Sequence, residues 1–159
     1  MLQIDITITG GDWPDAGFLE DFVQTTTAAV FERLGFLDLV SELSLVFSCD
    51  AEVRALNARW RGQDKATNVL SFPIQDVQVG ERPGPILGDI IIAYETVERE
   101  ALAEDKPLLN HVRHMLVHGV LHLLGYDHEN EGEAEIMEQW EREILADLGV
   151  PNPYREYIC

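Results

Sequence analysis

The sequence predicts a single α+β domain in which about five helices pack on a small sheet of four strands, and three observations carry that prediction. Four short stretches alternate or cluster apolar residues as strands do, and five longer ones repeat them at roughly 3.6-residue spacing. The two kinds of stretch do not alternate strictly, as they would in an α/β fold. The length, 159 residues, suits one unit spanning 1–159, long enough to bury about two-thirds of its unfolded surface in one core.

Leu2 to Thr9 places Leu2, Ile4, Ile6 and Ile8 on one side, the pattern of a half-buried strand that ends at Gly10-Gly11-Asp12. From Asp15 to about Leu34, residues including Phe18, Leu19, Phe22, Val23, Val30 and Leu34 keep helical spacing, and Gly35 is a suitable stop. Ser41 to Ser48 reads as a strand with Leu43, Leu45 and Phe47 on one face, after which Asp50 caps a helix to about Trp60, itself read as a packing residue. Asn68 to Phe72 is a third strand, and Pro73, which cannot donate a hydrogen bond, places it at a sheet edge. Ile74 to Pro85 has Gly80, Pro83, Gly84 and Pro85 and no periodicity, so it is a loop. Leu87 to Ala93 is the fourth strand, Glu95 to Glu104 a helix, and Pro107 suits the first turn of a helix running to about Leu124. A last helix, Gly132 to Leu148, buries Ile136, Met137, Trp140, Ile144 and Leu145 and exposes Glu133, Glu135, Glu138, Glu141 and Glu143.

The helix ending near Leu124 carries the chemistry. His118 and His122, four residues apart, stand one above the other on one helix face and can reach a single ion. Gly125 tolerates the left-handed conformation that ends a helix, so the chain can turn back and bring His128 over the same point. Three neutral imidazoles leave one position of a tetrahedral Zn²⁺ open, which marks a catalytic rather than a structural site. The spacing H-x3-H-x2-G-x2-H is that of metzincin proteases, yet the glutamate that serves them as general base after the first histidine is here Gly119. Metal-assisted hydrolysis of something other than an ordinary peptide follows. His111 and His114 share the face, all four helical histidines falling within about 80°; His114 is read as a hydrogen-bonded neighbour of the site and His111 as more remote. Met137 is read as a core methionine.

The run His118-Gly119-Val120-Leu121-His122-Leu123-Leu124-Gly125-Tyr126-Asp127-His128 resembles the signature of the YbeY family, bacterial metal-dependent endoribonucleases of rRNA maturation and ribosome quality control. Residues Arg61 to Pro73 are similar to a second block of that family and Leu87-Gly88-Asp89-Ile90 to a third, with Ala66 standing where many members have proline. The resemblance spans about residues 42 to 154. It implies a zincin-like mixed sheet with the ligand helix central, one Zn²⁺ per chain on His118, His122 and His128, and a catalytic Arg61. It also implies cleavage of single-stranded RNA at the 3′ end of small-subunit rRNA, with protein partners in ribosome assembly.

Composition bears on this from both sides. Against 11 basic residues stand 29 acidic ones, a net charge of −18, whereas nucleic-acid binders are usually basic. Arg54, Arg59, Arg61 and Lys65 concentrate four cations within twelve residues. Composition alone makes that run a solvated helix face and polar loop; the resemblance singles out Arg61. No apolar run approaches the roughly 20 residues of a membrane span, the start lacks the character of a signal peptide, and Cys49 and Cys159 have no metal-type spacing, so a cytoplasmic protein with reduced thiols is expected.

The mechanism expected has the ion acidify a water towards a pKa of roughly 7 and polarise a phosphoryl oxygen, while Arg61 pairs with the phosphate. The attacking group is that water or the RNA 2′-hydroxyl. Two rival readings stand beside it: a metalloprotease-like hydrolase, and a non-catalytic ribosome-assembly factor with structural zinc.

Overall fold

Four strands, Leu2–Ile8 (β1), Ser41–Ser48 (β2), Val69–Pro73 (β3) and Ile86–Ala93 (β4), form one sheet in the order β1-β2-β4-β3 in the computed structural model. The structure describes residues 2–154; Cys159, read above as a free thiol, lies outside the described residues. β1, β2 and β4 run parallel, and β3 runs antiparallel to β4 at an edge, so the sheet is mixed. Pro73 is the last paired residue of that edge strand, and its missing N–H lies on the side away from β4, where no ladder bond is lost. The helices are Ala16–Leu34 (α1), Asp50–Arg61 (α2), Tyr94–Ala103 (α3), Leu108–Leu123 (α4) and Glu131–Asp147 (α5).

Helix α4 is the centre of the molecule, in contact with β3, β4, α1, α3 and α5. Its Leu116, Val120 and Leu121 are fully buried in a core shared with Leu19 of α1, Leu45 and Phe47 of β2 and Ile90 and Ile92 of β4. Complete removal of such side chains from water stabilises by about 1.5–3 kcal/mol each before chain entropy is counted. On the opposite face of the sheet α2 covers a smaller cluster of Val53, Leu70, Ile91 and Ala93.

Three expectations need correction. Trp60 is 63% exposed rather than packed: α2 buries only Val53 and Asn57, in its first two turns, and the last turn is left to solvent with the Arg59 guanidinium 5.2 Å from the indole centroid. Ile136 is 54% exposed, because α5 turns Met137, Glu141, Ile144 and Leu145 inward. Asp50 does not cap its own helix; its Oδ1 accepts from Thr96 N at 3.1 Å and Thr96 Oγ1 at 2.7 Å in the first turn of α3. Glu95 Oε2 of α3 in return accepts from Asp50 N at 3.0 Å, so two adjacent helix starts cap each other.

Two glycines at positive φ end helices in different surroundings. Among the described residues Gly35 (φ 81°) has nothing within 4 Å of where a Cβ would stand, whereas at Gly125 (φ 99°) a Cβ would lie 2.3 Å from the carbonyl oxygen of Val77. The 74–85 loop is therefore seated against the turn that follows α4. Gly35→Ala is expected to cost about 1–2 kcal/mol of conformational strain, and Gly125→Ala at least about 1–3 kcal/mol more for the clash. Urea unfolding of both variants checks this; equal losses would show that the loop yields freely.

Candidate metal centre

Helical geometry brings the first two histidines together. His118 and His122 lie one turn apart on α4, with their Nε2 atoms 3.0 Å from each other. The helix then closes with Gly125 N donating to His122 O at 3.0 Å and Tyr126 N to Leu121 O at 3.0 Å, a left-handed turn that only glycine adopts at low cost. Beyond that turn the chain returns, and the His128 ring sits 5.4 Å from that of His118 and 5.1 Å from that of His122, centroid to centroid. One ligand atom from each of the three lies within 4.8 Å of the others.

A buried acid sets the orientation of this cluster. Glu141 of α5, with none of its surface exposed, places Oε1 2.6 Å from His118 Nδ1. A carboxylate there accepts, so Nδ1 carries the hydrogen and His118 Nε2 presents its lone pair to the cluster. Tyr154 donates its hydroxyl to Glu141 Oε2 at 2.5 Å, and His114 Nε2 lies 3.4 Å from Glu141 Oε1 and 3.2 Å from the tyrosine oxygen. Burial acts to raise the Glu141 pKa, but hydrogen bonds from His114 and His118 outweigh it and hold the carboxyl at about 2. Burial, and then the adjacent Glu141, push the Tyr154 phenol up, and burial keeps His114 low and neutral.

Glu141 corrects the sequence reading, which set it on the exposed acidic face of α5. Its spacing held the signal: an acid four residues after Met137 and three before Ile144 stands in the apolar stripe, where an unpartnered charge is prohibitive. His114 is the hydrogen-bonded neighbour expected. His111 is separate, its Nε2 2.9 Å from Glu100 Oε1.

The donor set suits a metal ion. Two imidazole nitrogens that face one another at 3.0 Å are close to the roughly 3.3 Å that two ligands of a tetrahedral Zn²⁺ at about 2.0–2.1 Å subtend. His122 is depressed to about 4, chiefly by burial and then by His118 and His128, and is therefore neutral and ready to ligate. The position after His118 is closely packed: a Cβ on Gly119 would meet two Ile90 carbons and Ser71 Oγ at 3.2 Å each, so a side chain there requires these neighbours to shift by a few tenths of an ångström, and Ser71 Oγ donates to Gly119 O at 3.1 Å.

The histidines open on a cleft of 890 Å³ whose walls include Arg61, Lys65, Ser71 and Asp127. Among the clustered cations the structure discriminates. Arg54 is held by Asp64 in two bonds of 2.7 and 3.1 Å, and Arg59 leans on Trp60. Among the described residues Arg61 has only a 3.4 Å contact from Nη2 to Ser71 O and the Phe72 ring 5.9 Å away, so its charge lines the cleft without a counter-ion from them.

Comparison with known proteins bears on the whole chain. Residues 14–149 match the family model for endoribonuclease YbeY. Over 162 residues the chain is 52% identical to the endoribonuclease YbeY of Rhizobium johnstonii, covering 97% of this chain and 95% of that one. With its namesake in Rhizobium meliloti it shares 50% over 159 residues, 96% and 95% of the two chains. The solution structure of TM1509 from Thermotoga maritima has the same fold, with a TM-score of 0.58 at 21% identity over 98% of this chain and 100% of that one. The likeness begins well before residue 42, where the recognisable motifs start.

Two outcomes follow from the histidine cluster. Glu141→Gln removes the charge behind His118 and is expected to weaken zinc binding about 10- to 100-fold in competition with a chelator; unchanged affinity would remove Glu141 from the site. In the metal-free protein the sign of the His122 effect is set by a folded value near 4 below the unfolded value of about 6.5. As pH falls through that window the unfolded chain takes up a proton that the folded chain refuses, so stability complete above about 6.5 is lost progressively. Between pH 7 and 5 the wild type should lose on the order of 1–2 kcal/mol more in urea unfolding than His122→Gln, and parallel curves would contradict it.

Proposed function

Because the chain belongs to the YbeY endoribonuclease family, we propose that it cleaves single-stranded RNA at a metal ion held by His118, His122 and His128, with Arg61 against the scissile phosphate. The observation that carries this reading is the cleft itself: it is lined both by three imidazoles whose ligand atoms lie together and by an arginine with no counter-ion among the described residues. Zn²⁺, about one per chain, suits three neutral nitrogens with an open position. When bound, such an ion supplies Lewis-acid polarisation of a phosphoryl oxygen and a more acidic water.

The protein's own residues have distinct tasks. Glu141 holds the His118 tautomer, and the Gly125 turn delivers His128. Arg61 exchanges its long contact with Ser71 O for two parallel hydrogen bonds to the phosphate, stabilising charge as it develops. Lys65, on the same cleft wall, adds general attraction. The place where a metzincin carries its base is filled by the packing of Gly119 on Ile90 and Ser71, which argues against peptide hydrolysis by that route. An open cleft beside the imidazoles argues against a purely structural ion.

In the cell the substrate we infer is rRNA, at the 3′ end of the small-subunit molecule and in defective ribosomes, with ribosome-assembly proteins as partners and the cytoplasm as the compartment. This follows the role implied by the family motifs, and no described helix is long and apolar enough to cross a membrane.

Arg61→Ala should leave fold and zinc content intact and lower single-turnover RNA cleavage by roughly 10²-fold or more. Arg61→Lys should restore part of it, because an ammonium keeps the charge and loses the fork. Arg54→Ala and Arg59→Ala should cost far less and lose their effect as salt rises. Equal losses in all three alanine variants would reduce Arg61 to one cation of a patch, and normal cleavage by Arg61→Ala would remove its role.

A further inference from the structure

The sheet edge beside the histidines carries hydrogen-bonding groups that neither the metal site nor Arg61 accounts for. Among the described residues β3 pairs with β4 on one side only, and Val69, Ser71 and Pro73 on its other side belong to the cleft wall. Antiparallel pairing alternates which residues aim their backbone at the partner. Asn68 O accepts from Ala93 N at 3.0 Å and Ile74 N donates to Leu87 O at 3.2 Å. In that register the backbone groups of Leu70 and Phe72 face β4, and those of Val69, Ser71 and Pro73 face the cleft.

The three outward positions are not equivalent. Val69 N donates to Asn68 Oδ1 at 2.8 Å, and Pro73 has no N–H. Ser71 alone among them presents both a donor and an acceptor: no hydrogen bond to its N–H is formed among the described residues, and its carbonyl receives only the 3.4 Å contact from Arg61. Its hydroxyl, bonded to Gly119 O, ties this backbone to α4 one residue from His118. An added peptide strand needs a donor–acceptor pair at every second residue, and this edge offers one such pair. A single planar group with a donor beside an acceptor needs no more.

The Watson–Crick edge of every nucleobase is such a group, and in a duplex it is occupied by the opposite strand. We propose that the main chain of Ser71 takes the Watson–Crick edge of one unpaired base next to the scissile phosphate, so that the site demands a single strand without reading its sequence. Arg61 yields the shared carbonyl to the base as it moves onto the phosphate. The inference rests on the RNA-cleaving reading above and specifies what that site recognises.

Wild-type, zinc-loaded protein and a short unstructured uridine-rich RNA with one cleavage position test it. At each of the nucleotides flanking that position, 3-methyluridine blocks the edge, and 5-methyluridine carries the same methyl and leaves the edge free. At one nucleotide 3-methyluridine should lower kcat/KM about tenfold or more while 5-methyluridine leaves it within about twofold, the scale of losing one two-point base contact. Cleavage of every 3-methyluridine RNA at the rate of the unmodified one would overturn the inference and leave the RNA-cleaving reading standing. No cleavage of the unmodified RNA would remove both.

Discussion

The carboxylate of Glu141 is the group on which the rest of the site depends. A charge with no exposed surface is tolerable only when fully hydrogen-bonded, and here His118, His114 and Tyr154 surround it. That requirement reaches outward in three directions: it fixes a tautomer on α4, docks α5 against α4, and seats residue 154 of the C-terminal segment beside both. Fold and site are thus one problem, because the same acid that penalises unfolding of the α4–α5 contact turns the His118 lone pair toward the other two imidazoles. The left-handed turn at Gly125 completes the arrangement by bringing in His128 and meeting the 74–85 loop on its other side.

A net charge of −18 on a protein that handles RNA is reconciled by where the cations stand. Arg33, Arg54, Arg82, Arg99 and Lys106 are each paired with an acid, and Arg113 lies over the Phe22 ring. Such surface pairs contribute little stability, about 0–1 kcal/mol each, but they cancel the field of the cations they involve. Arg61 and Lys65, in the cleft wall, form no ion pair among the described residues. The same cleft also carries Asp76, Asp127, Glu129 and Glu133, and since charges beyond about 8 Å are largely screened at physiological salt, the attraction a strand meets there is confined to the immediate surroundings of Arg61 and Lys65. Few contacts of this kind suit an enzyme that must release its product.

Much of this was legible in the sequence because it depends on local periodicity. The four strands, the five helices and the edge position of β3 follow from apolar alternation, helical spacing and Pro73. His118, His122 and His128 could be read as one site because an i,i+4 pair and a glycine turn are local geometry. What escaped was set by tertiary contact. Glu141 has the same letter as its solvated neighbours Glu138 and Glu143, and its burial is visible only when the stripe of Met137, Ile144 and Leu145 is followed through it. Tyr154 gives no periodic signal at all. Asp50 looks like a cap for its own helix and serves α3 instead, a choice made by the proximity of two helix starts. Trp60 reads as a packing residue by its type, although among the described residues α2 buries nothing after Asn57. The one departure on the helix itself, Gly119 in place of a base, acquires its physical reason only from the packing of Ile90 and Ser71.

The claim that an ion on the three histidines drives RNA cleavage is tested most directly by removing and restoring it. Protein purified without chelator should contain about one zinc per chain and cut a single-stranded RNA. After chelation, with the circular dichroism spectrum unchanged, cutting should cease, and one equivalent of Zn²⁺ should bring it back. A chelated, metal-free protein that cuts RNA at the original rate would contradict the account.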